Sequence, residues 1–204
     1  MGLIGWADID QKSSFSNNIY FKLQKGESRA KFRPIGDLYT FKKYMFNHAG
    51  RWRIAVCLDE DSCPVAAKHN ILPSVRYAMN LIDRRDNTIK ILETSIKVAR
   101  ELRVFFEKTG KAPGSINGAQ YNMSFLENNG RWSYSASFSG PHSLSEDDIA
   151  LIKKQGLHNL QKIYKATDPS KIEDVLFGDL LSDNCSNKAE YKEGVKLDNK
   201  TFGI

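Results

Sequence analysis

The sequence is poor in cysteine, in proline and in long apolar runs. Its 204 residues include 3 cysteines and 6 prolines. A small, odd number of cysteines excludes a disulfide framework and favours a reducing compartment. No apolar run approaches the roughly 18 residues that cross a bilayer, and residues 1–12 lack a signal-peptide core. The sequence therefore predicts a cytoplasmic protein without a membrane partner.

Sequence motifs for catalysis are also missing. The chain has no phosphate-binding loop of the form GxxxxGK[ST], no GxSxG nucleophile elbow and no HExxH metal motif. Asp59, Glu60 and Asp61 stand in a row. Consecutive carboxylates point in different directions, which is typical of a solvated turn rather than of a magnesium site. We predict that the protein is not an enzyme and has no catalytic residue.

Positive charge is in excess and is concentrated in one segment. The chain has 30 Lys and Arg against 24 Asp and Glu, a formal net charge of +6. Residues 28–54 hold seven of these cations and a single acid, Asp37, so this segment alone carries as much net charge as the whole chain. The balance favours an anionic partner, which can be nucleic acid, an acidic protein or a membrane surface.

The spacing of apolar residues predicts both strands and helices. Period-two alternation, the mark of half-buried strands, recurs along the first two thirds of the chain. Helical spacing follows Ser95 and returns after Ser145, where Ser145 and Asp148 can form a capping box, and again between Pro169 and Gly178. The predicted strands are 28–35, 39–47, 51–57, 75–83, 88–93, 120–127 and 131–138.

This order of elements predicts a mainly β protein of the α+β class, an elaborated OB-type antiparallel barrel with C-terminal helices. A helix placed before the last strands is typical of an OB barrel, although the strand count here exceeds five. The sequence divides into an N-terminal arm 1–27, an OB-fold core 28–140 with an inserted loop or zinc-like subdomain at 57–74, a helical appendage 141–178, and a C-terminal arm 179–204.

The basic segment also carries aromatic residues on its predicted strands. Single-stranded nucleic acid needs cations for its phosphates and flat rings for its unstacked bases, and strands present both at fixed spacing. Strand 39–47 has aromatic residues on both faces, and because a barrel wall buries one face, we expect one set of rings to be exposed. The predicted nucleic-acid-binding residues are Arg29, Lys31, Arg33, Tyr39, Phe41, Lys42, Lys43, Tyr44, Arg51, Trp52, Arg53, Arg76 and Arg131.

A second candidate site lies around the inserted loop. His48, Cys57, Cys63 and His69 supply two thiolates and two imidazoles, a ligand set that suits structural zinc. The segment lacks a CxxC pair. The alternative is two buried free thiols and two surface histidines.

A series of motifs follows a fixed order over roughly residues 20 to 178. The motifs are KLQKGESRAKFRPIG, FKKYMF, VCLDEDSCPVAA, VRYAMNLIDRRDNTIKILE, GAQYNMSFLENNGRWSYSASF and SLSEDDIALIKKQGLHNLQKIY. In this order they resemble the single-stranded DNA-binding (helix-destabilising) proteins of tailed bacteriophages. The resemblance implies an OB-fold core that coats single-stranded DNA in phage replication, recombination and repair, in the cytoplasm of the bacterial host and without catalysis.

The resemblance carries further implications and two departures. It implies self-association along DNA, contacts with phage replication or recombination proteins, and a zinc subdomain over 48–69. The CPxC that often closes this subdomain reads Cys63-Pro64-Val65-Ala66 here, so His69 would have to supply the missing ligand. Members of the family usually end in an acidic tail, whereas residues 179–204 carry five acids against four lysines.

Two alternatives remain open from the residues themselves. An RNA-binding OB-fold module needs the same stacking rings and basic groove. A non-enzymatic scaffold would bind an acidic partner through its basic surface, and the aromatic residues among the cations count against this scaffold.

Overall fold

The structure, a computed structural model, describes residues 19–23, 27–48, 51–57, 63–128 and 131–183. The side chains at 48, 51, 126–128, 131–132 and 179–183 are outside this description. Most of the two predicted arms and the acidic run at 59–61 also fall outside it. Within the described ranges, no helix is both long and apolar enough to cross a membrane.

The described chain contains six strands, in consecutive pairs, and five helices, three of which follow the last strand. The strands are β1 Arg29–His48, β2 Arg51–Cys57, β3 Ser74–Asp83, β4 Thr88–Thr94, β5 Ala119–Asn128 and β6 Arg131–Pro141. The helices are α1 Pro64–His69, α2 Ile96–Thr109, α3 Glu146–Gln155, α4 Leu160–Ile163 and α5 Pro169–Asp183. The predicted α+β class is confirmed. The helix predicted to end at Gly178 continues to Asp183.

The strands form one antiparallel sheet in the order β4-β3-β1-β5-β6, and β2 pairs with β1 beside this path. Among the described residues no hydrogen-bonded ladder joins β4 to β6. The sheet is therefore open, and the expectation of a closed barrel is wrong. Alternating side chains and tight turns favour antiparallel pairing, but they do not specify whether the two edge strands meet.

β1 is one strand of 20 residues where the sequence predicted two. Its register against β3 shifts between Ile35 and Tyr39, and Gly36 within this bulge has a φ of +71°. Gly36 also donates its N–H to the carbonyl of Gly114 at 2.9 Å. A Cβ on Gly114 would lie 2.0 Å from the Gly36 oxygen, so the two backbones meet where a side chain has no room.

The bulge lets a single strand serve three neighbours. β3 pairs with β1 from Phe32 to Lys43 along one edge. The other edge is divided between β5, which pairs with residues 29–32, and β2, which pairs with residues 42–48. Because a bulge bends a strand and increases its twist, β1 can hold both partners without their colliding.

The main core lies between the sheet and α2. Phe32 stacks on Tyr121, with ring centroids 5.8 Å apart, and the Tyr121 hydroxyl donates to the Leu102 carbonyl at 3.1 Å. Phe21 and Leu23, which we assigned to the N-terminal arm, also belong to this core. Phe21 is buried, and its N–H donates to the Ile91 carbonyl at 2.8 Å. Part of the predicted arm therefore pairs with β4 along the edge of the sheet.

α3 is attached to the sheet by an ion pair at its first turn. The predicted capping box is confirmed: Ser145 Oγ accepts from the Asp148 N–H, and Asp148 in turn accepts from the Ser145 N–H. Asp148 also holds both terminal nitrogens of Arg84, at 2.6 and 2.9 Å. This guanidinium, against the cost of burial, lowers the pKa of Asp148 below its ordinary value.

Arg33 is fully buried and ties loop carbonyls to β1. Its Nε donates to the His142 carbonyl at 3.0 Å, its Nη1 to Pro113 at 2.8 Å, and its Nη2 to Ser115 at 2.5 Å. Burial, followed by the nearby charge of Arg84, lowers the pKa of Arg33 to about 10. The side chain therefore stays charged at neutral pH and joins the loop 112–118 and residue 142 to the sheet.

We expect Arg33→Ala to lower the free energy of unfolding by roughly 3 kcal/mol or more, because several buried carbonyls lose a charged donor together. Urea unfolding measures this change. The matched control is Arg29→Ala on the same strand, where the side chain is exposed and we expect a change within about 0.5 kcal/mol. Equal effects of the two substitutions would contradict the anchoring role of Arg33.

Candidate nucleic-acid interface

Tyr39 and Phe41 lie on one face of β1, and Tyr164, the C-cap residue of α4, covers them. Phe41 is buried and stacks on Tyr164, with ring centroids 4.1 Å apart and planes at 23°. Tyr39 lies 6.3 Å from the same ring in a similar orientation. Burial raises the pKa of Tyr164, which keeps its phenol neutral. Tyr39 and Phe41, both predicted to meet nucleic acid, instead contribute to a core.

The other face of β1, which carries Tyr44 and Phe46, is covered by α5. Tyr44 is buried in a cluster with Ile172 and Leu176, and its hydroxyl lies 3.1 Å from Cys63 Sγ. Phe46 meets the ring of Phe177 edge-on, with centroids 5.2 Å apart. Our expectation that one set of rings is exposed is therefore wrong. A sheet alone buries one face, but the C-terminal helices of this chain cover the other.

Two of the predicted phosphate-binding cations also lie in the interior. Arg33 holds loop carbonyls, as described above, and the buried Lys43 forms an ion pair with Glu93. These positions correct the expectation that both face a ligand. Arg29 and Lys31 are exposed, while Lys42, Arg53 and Arg76 are half-buried. The side chains of Arg51 and Arg131 lie outside the described part of the structure.

Trp52 is the most exposed aromatic side chain among the described residues, with 61% of its surface accessible. It lies on the same face of β2 as Ile54, which is itself 48% exposed and pairs with Met45 of β1. Phe41 and Met45 are four residues apart on β1 and so lie on the same face of the strand. Arg76 of β3 pairs with Phe41 and therefore shares this face. Met45, Trp52, Ile54 and Arg76 together form what we call the Trp52 face.

The guanidinium of Arg76 has few partners on this face. Its Nη2 lies 3.7 Å from Met45 Sδ, and its Nε is buried without a hydrogen-bond partner among the described residues. A thioether is a weak acceptor, so the described residues offer this guanidinium no strong hydrogen-bond partner. A phosphate or a base carbonyl that approaches the Trp52 face would meet the terminal nitrogens of this half-buried side chain, because Nε itself is buried.

A groove of about 390 Å³ adjoins the Trp52 face at Ile54. Its opposite side includes Tyr134 of the β5–β6 hairpin, which pairs with Phe125, their ring centroids lying 5.0 Å apart. The exposed residue Lys22 and the Lys43–Glu93 pair also line it. Tyr134 is 42% exposed and lies close to the hairpin turn.

The candidate zinc ligands are only partly brought together. Cys57 and Cys63 are both buried thiols that are not joined in a disulfide, and their side chains share a hydrogen bond. Burial opposes the ionisation of Cys63, but hydrogen bonds from Tyr44, from backbone amides and from Cys57 together lower the pKa of the thiol. His69 instead pairs with Glu173, its Nε2 lying 3.2 Å from Oε1, and packs on Phe177.

Within the described residues, no group of three or more metal-binding side chains is assembled. The His48 side chain is outside that description, and His69 would have to leave Glu173 to reach a metal. Zinc binding therefore stays a prediction. If zinc is bound, we expect about one ion per purified chain and a lower melting temperature after chelation. A chain that contains no zinc and melts unchanged in chelator would contradict it.

Comparison with known proteins adds no further assignment. No protein-family model matches the chain, and no curated protein sequence matches it. A role for the candidate site is therefore argued from the geometry of its residues alone.

Phe41 and Trp52 were both predicted to bind nucleic acid, but Phe41 is buried and Trp52 is exposed. We expect Phe41→Ala to destabilise the fold by roughly 3–5 kcal/mol, because it removes the ring that stacks on Tyr164 and leaves a cavity. Trp52→Ala should cost far less, since that ring is mostly in solvent. Thermal unfolding of both variants checks this difference. A large loss of stability in Trp52→Ala would show that Trp52 is a core residue.

Proposed function

We propose that this protein binds single-stranded DNA with little sequence preference, through the Trp52 face and the adjoining groove, and performs no catalysis. The single observation that carries the proposal is the exposure of Trp52 on a face that also presents the half-buried guanidinium of Arg76. The proposal includes the role suggested by the resemblance, namely coating of single strands with self-association along them, in phage replication, recombination and repair.

Apolar side chains exposed on the Trp52 face cost free energy in water unless a ligand covers them. Trp52 and Ile54 leave apolar surface in water side by side, and such patches mark interaction sites. A base stacked on an aromatic ring contributes roughly 1–3 kcal/mol, and every base has a π-face. An unstacked strand therefore suits the Trp52 face, whereas the stacked bases of a duplex cannot reach it.

The order of the strands supports the same location. OB folds bind oligonucleotides through the face of their second and third strands and through the loops after their first and fourth strands. If β1, β3, β4, β5 and β6 are the five OB strands, then α2 lies between the third and fourth, where an OB fold has its helix. On this assignment β2 and α1 are an insertion after the first strand, and the β5–β6 hairpin follows the fourth.

The groove lies between these two binding elements. Ile54 belongs to the insertion and Tyr134 to the hairpin, and both line the same groove of about 390 Å³. We therefore assign base stacking to Trp52 and Tyr134, and a phosphate or base contact to Arg76. Arg29 and Lys31 lie at the start of β1, where it pairs with β5, and their side chains are exposed. Among the predicted cations whose side chains the structure describes, these two are the most open to phosphate.

The proposal is tested by titrating the protein with oligo-dT, with oligo-U of equal length and with a duplex. We expect binding to the single strand to exceed binding to the duplex by a wide margin. Trp52→Ala should weaken oligo-dT binding by roughly 1–3 kcal/mol and leave its salt dependence nearly unchanged. Lys31→Ala should instead flatten the slope of log affinity against log salt by roughly 0.7, the value for one phosphate contact on a single strand.

Phe106→Ala is the matched control for Trp52→Ala. Phe106 is an aromatic side chain on α2 that is 50% exposed and lines no part of the proposed DNA groove. We expect its loss to leave oligo-dT affinity unchanged. Equal binding of duplex and single strand would contradict stacking, and tighter binding of oligo-U than of oligo-dT would favour an RNA-binding module.

A further inference from the structure

A second groove, of about 420 Å³, lies between α2 and the bulge of β1. Its floor includes the buried side chains of Met79 and Leu102. Its rims carry apolar side chains that are 40% to 50% exposed, namely Leu38, Ile96 and Phe106. It shares no lining residue with the groove beside the Trp52 face. The strand-binding proposal therefore leaves this surface without a role.

The walls of the second groove are fixed in place. Glu101 of α2 accepts hydrogen bonds from Ser135 Oγ at 2.9 Å and from the Ala136 N–H at 2.6 Å, so α2 is held against β6. The opposite wall ends at Gly114, whose backbone meets Gly36 as described above. A groove between two fixed walls can accept a partner without a large ordering cost.

Two cations of α2, Arg100 and Arg103, line the groove, and the helix as a whole is basic. Residues 96–111 contain five cations, Lys97, Arg100, Arg103, Lys108 and Lys111, and two acids, Glu101 and Glu107. Glu101 is engaged by β6 and Glu107 pairs with Arg103 at 2.9 Å. Arg100 is exposed, and no ion pair is found for it within the described residues. Among the described residues that line the groove, Asp37 is the single acid.

We propose that this groove binds an acidic segment of a partner protein that carries at least one large apolar side chain. The apolar side chain enters between Ile96 and Phe106 and covers Met79 and Leu102. The carboxylates lie along α2, next to Arg100 and Arg103. The charge of the rim, in combination with an apolar floor, selects this occupant over a neutral or basic peptide.

Single-stranded DNA fits the second groove less well. Its rim presents one exposed ring, Phe106, whereas a strand-binding surface offers a series of rings to successive bases. The inference does not depend on the proposed DNA binding, and each can fail without the other.

The test uses the full chain and a short fluorescent peptide of alternating Asp, Glu and Leu residues, measured by fluorescence anisotropy. Two comparison peptides replace the acids by Asn and Gln, or the leucines by Ser. We expect saturable binding of the acidic, apolar peptide and much weaker binding of both comparisons. Amide chemical-shift changes on adding the peptide should cluster on α2 and on residues 36–38.

The double variant Arg100→Glu with Arg103→Glu should weaken peptide binding by about tenfold, the effect of two rim charges of ordinary strength. Phe106→Ser should also weaken it, through the apolar part of the contact. The matched control is Lys153→Glu with Lys154→Glu at the end of α3, which changes the net charge equally through two exposed lysines. The control should bind the peptide as the parent does.

Three results would overturn the proposal. They are the absence of saturable binding, equal binding of the Asn and Gln peptide, and an equal loss in the α3 control variant. Oligo-dT affinity of the α2 double variant separates the two proposals. We expect it to match that of the α3 control, and a selective loss of oligo-dT binding in the α2 variant would make this groove a DNA site instead.

Discussion

The bulge in β1 at Gly36 is the feature on which the rest of the structure depends. It bends a strand of 20 residues, so that β5 and β2 can share the edge opposite β3. It also places Gly36 against Gly114, which positions the loop whose carbonyls Arg33 binds. The location of both grooves follows, because one adjoins β2 and the other lies between the bulge and α2.

The C-terminal helices determine which aromatic residues remain in contact with solvent. Tyr164 covers Phe41 on one face of β1, and Ile172, Leu176 and Phe177 cover Tyr44 and Phe46 on the other. Trp52 lies beyond the reach of both layers and is mostly exposed. The proposed stacking of bases therefore depends on β2, the strand that lies beside the main path of the sheet.

Local patterns allowed much of the fold to be predicted from the sequence. Alternation located the strands, and the Ser145–Asp148 pair correctly located the start of α3, because caps and pleats depend on neighbouring residues. The burial of Tyr44, Arg33 and Lys43 could not be predicted in this way. Their partners, Cys63, Pro113 and Glu93, are distant in sequence, and counting charges along a strand does not show which of them are already paired.

The central claim is that single-stranded DNA meets the Trp52 face, and ultraviolet cross-linking tests it most directly. The full chain is irradiated in complex with oligo-dT, and the cross-linked peptides are identified by mass spectrometry. The account predicts adducts on Trp52 and on the β5–β6 hairpin that carries Tyr134. Adducts confined to α2, or found on the buried rings of Phe41 and Tyr44, would contradict it.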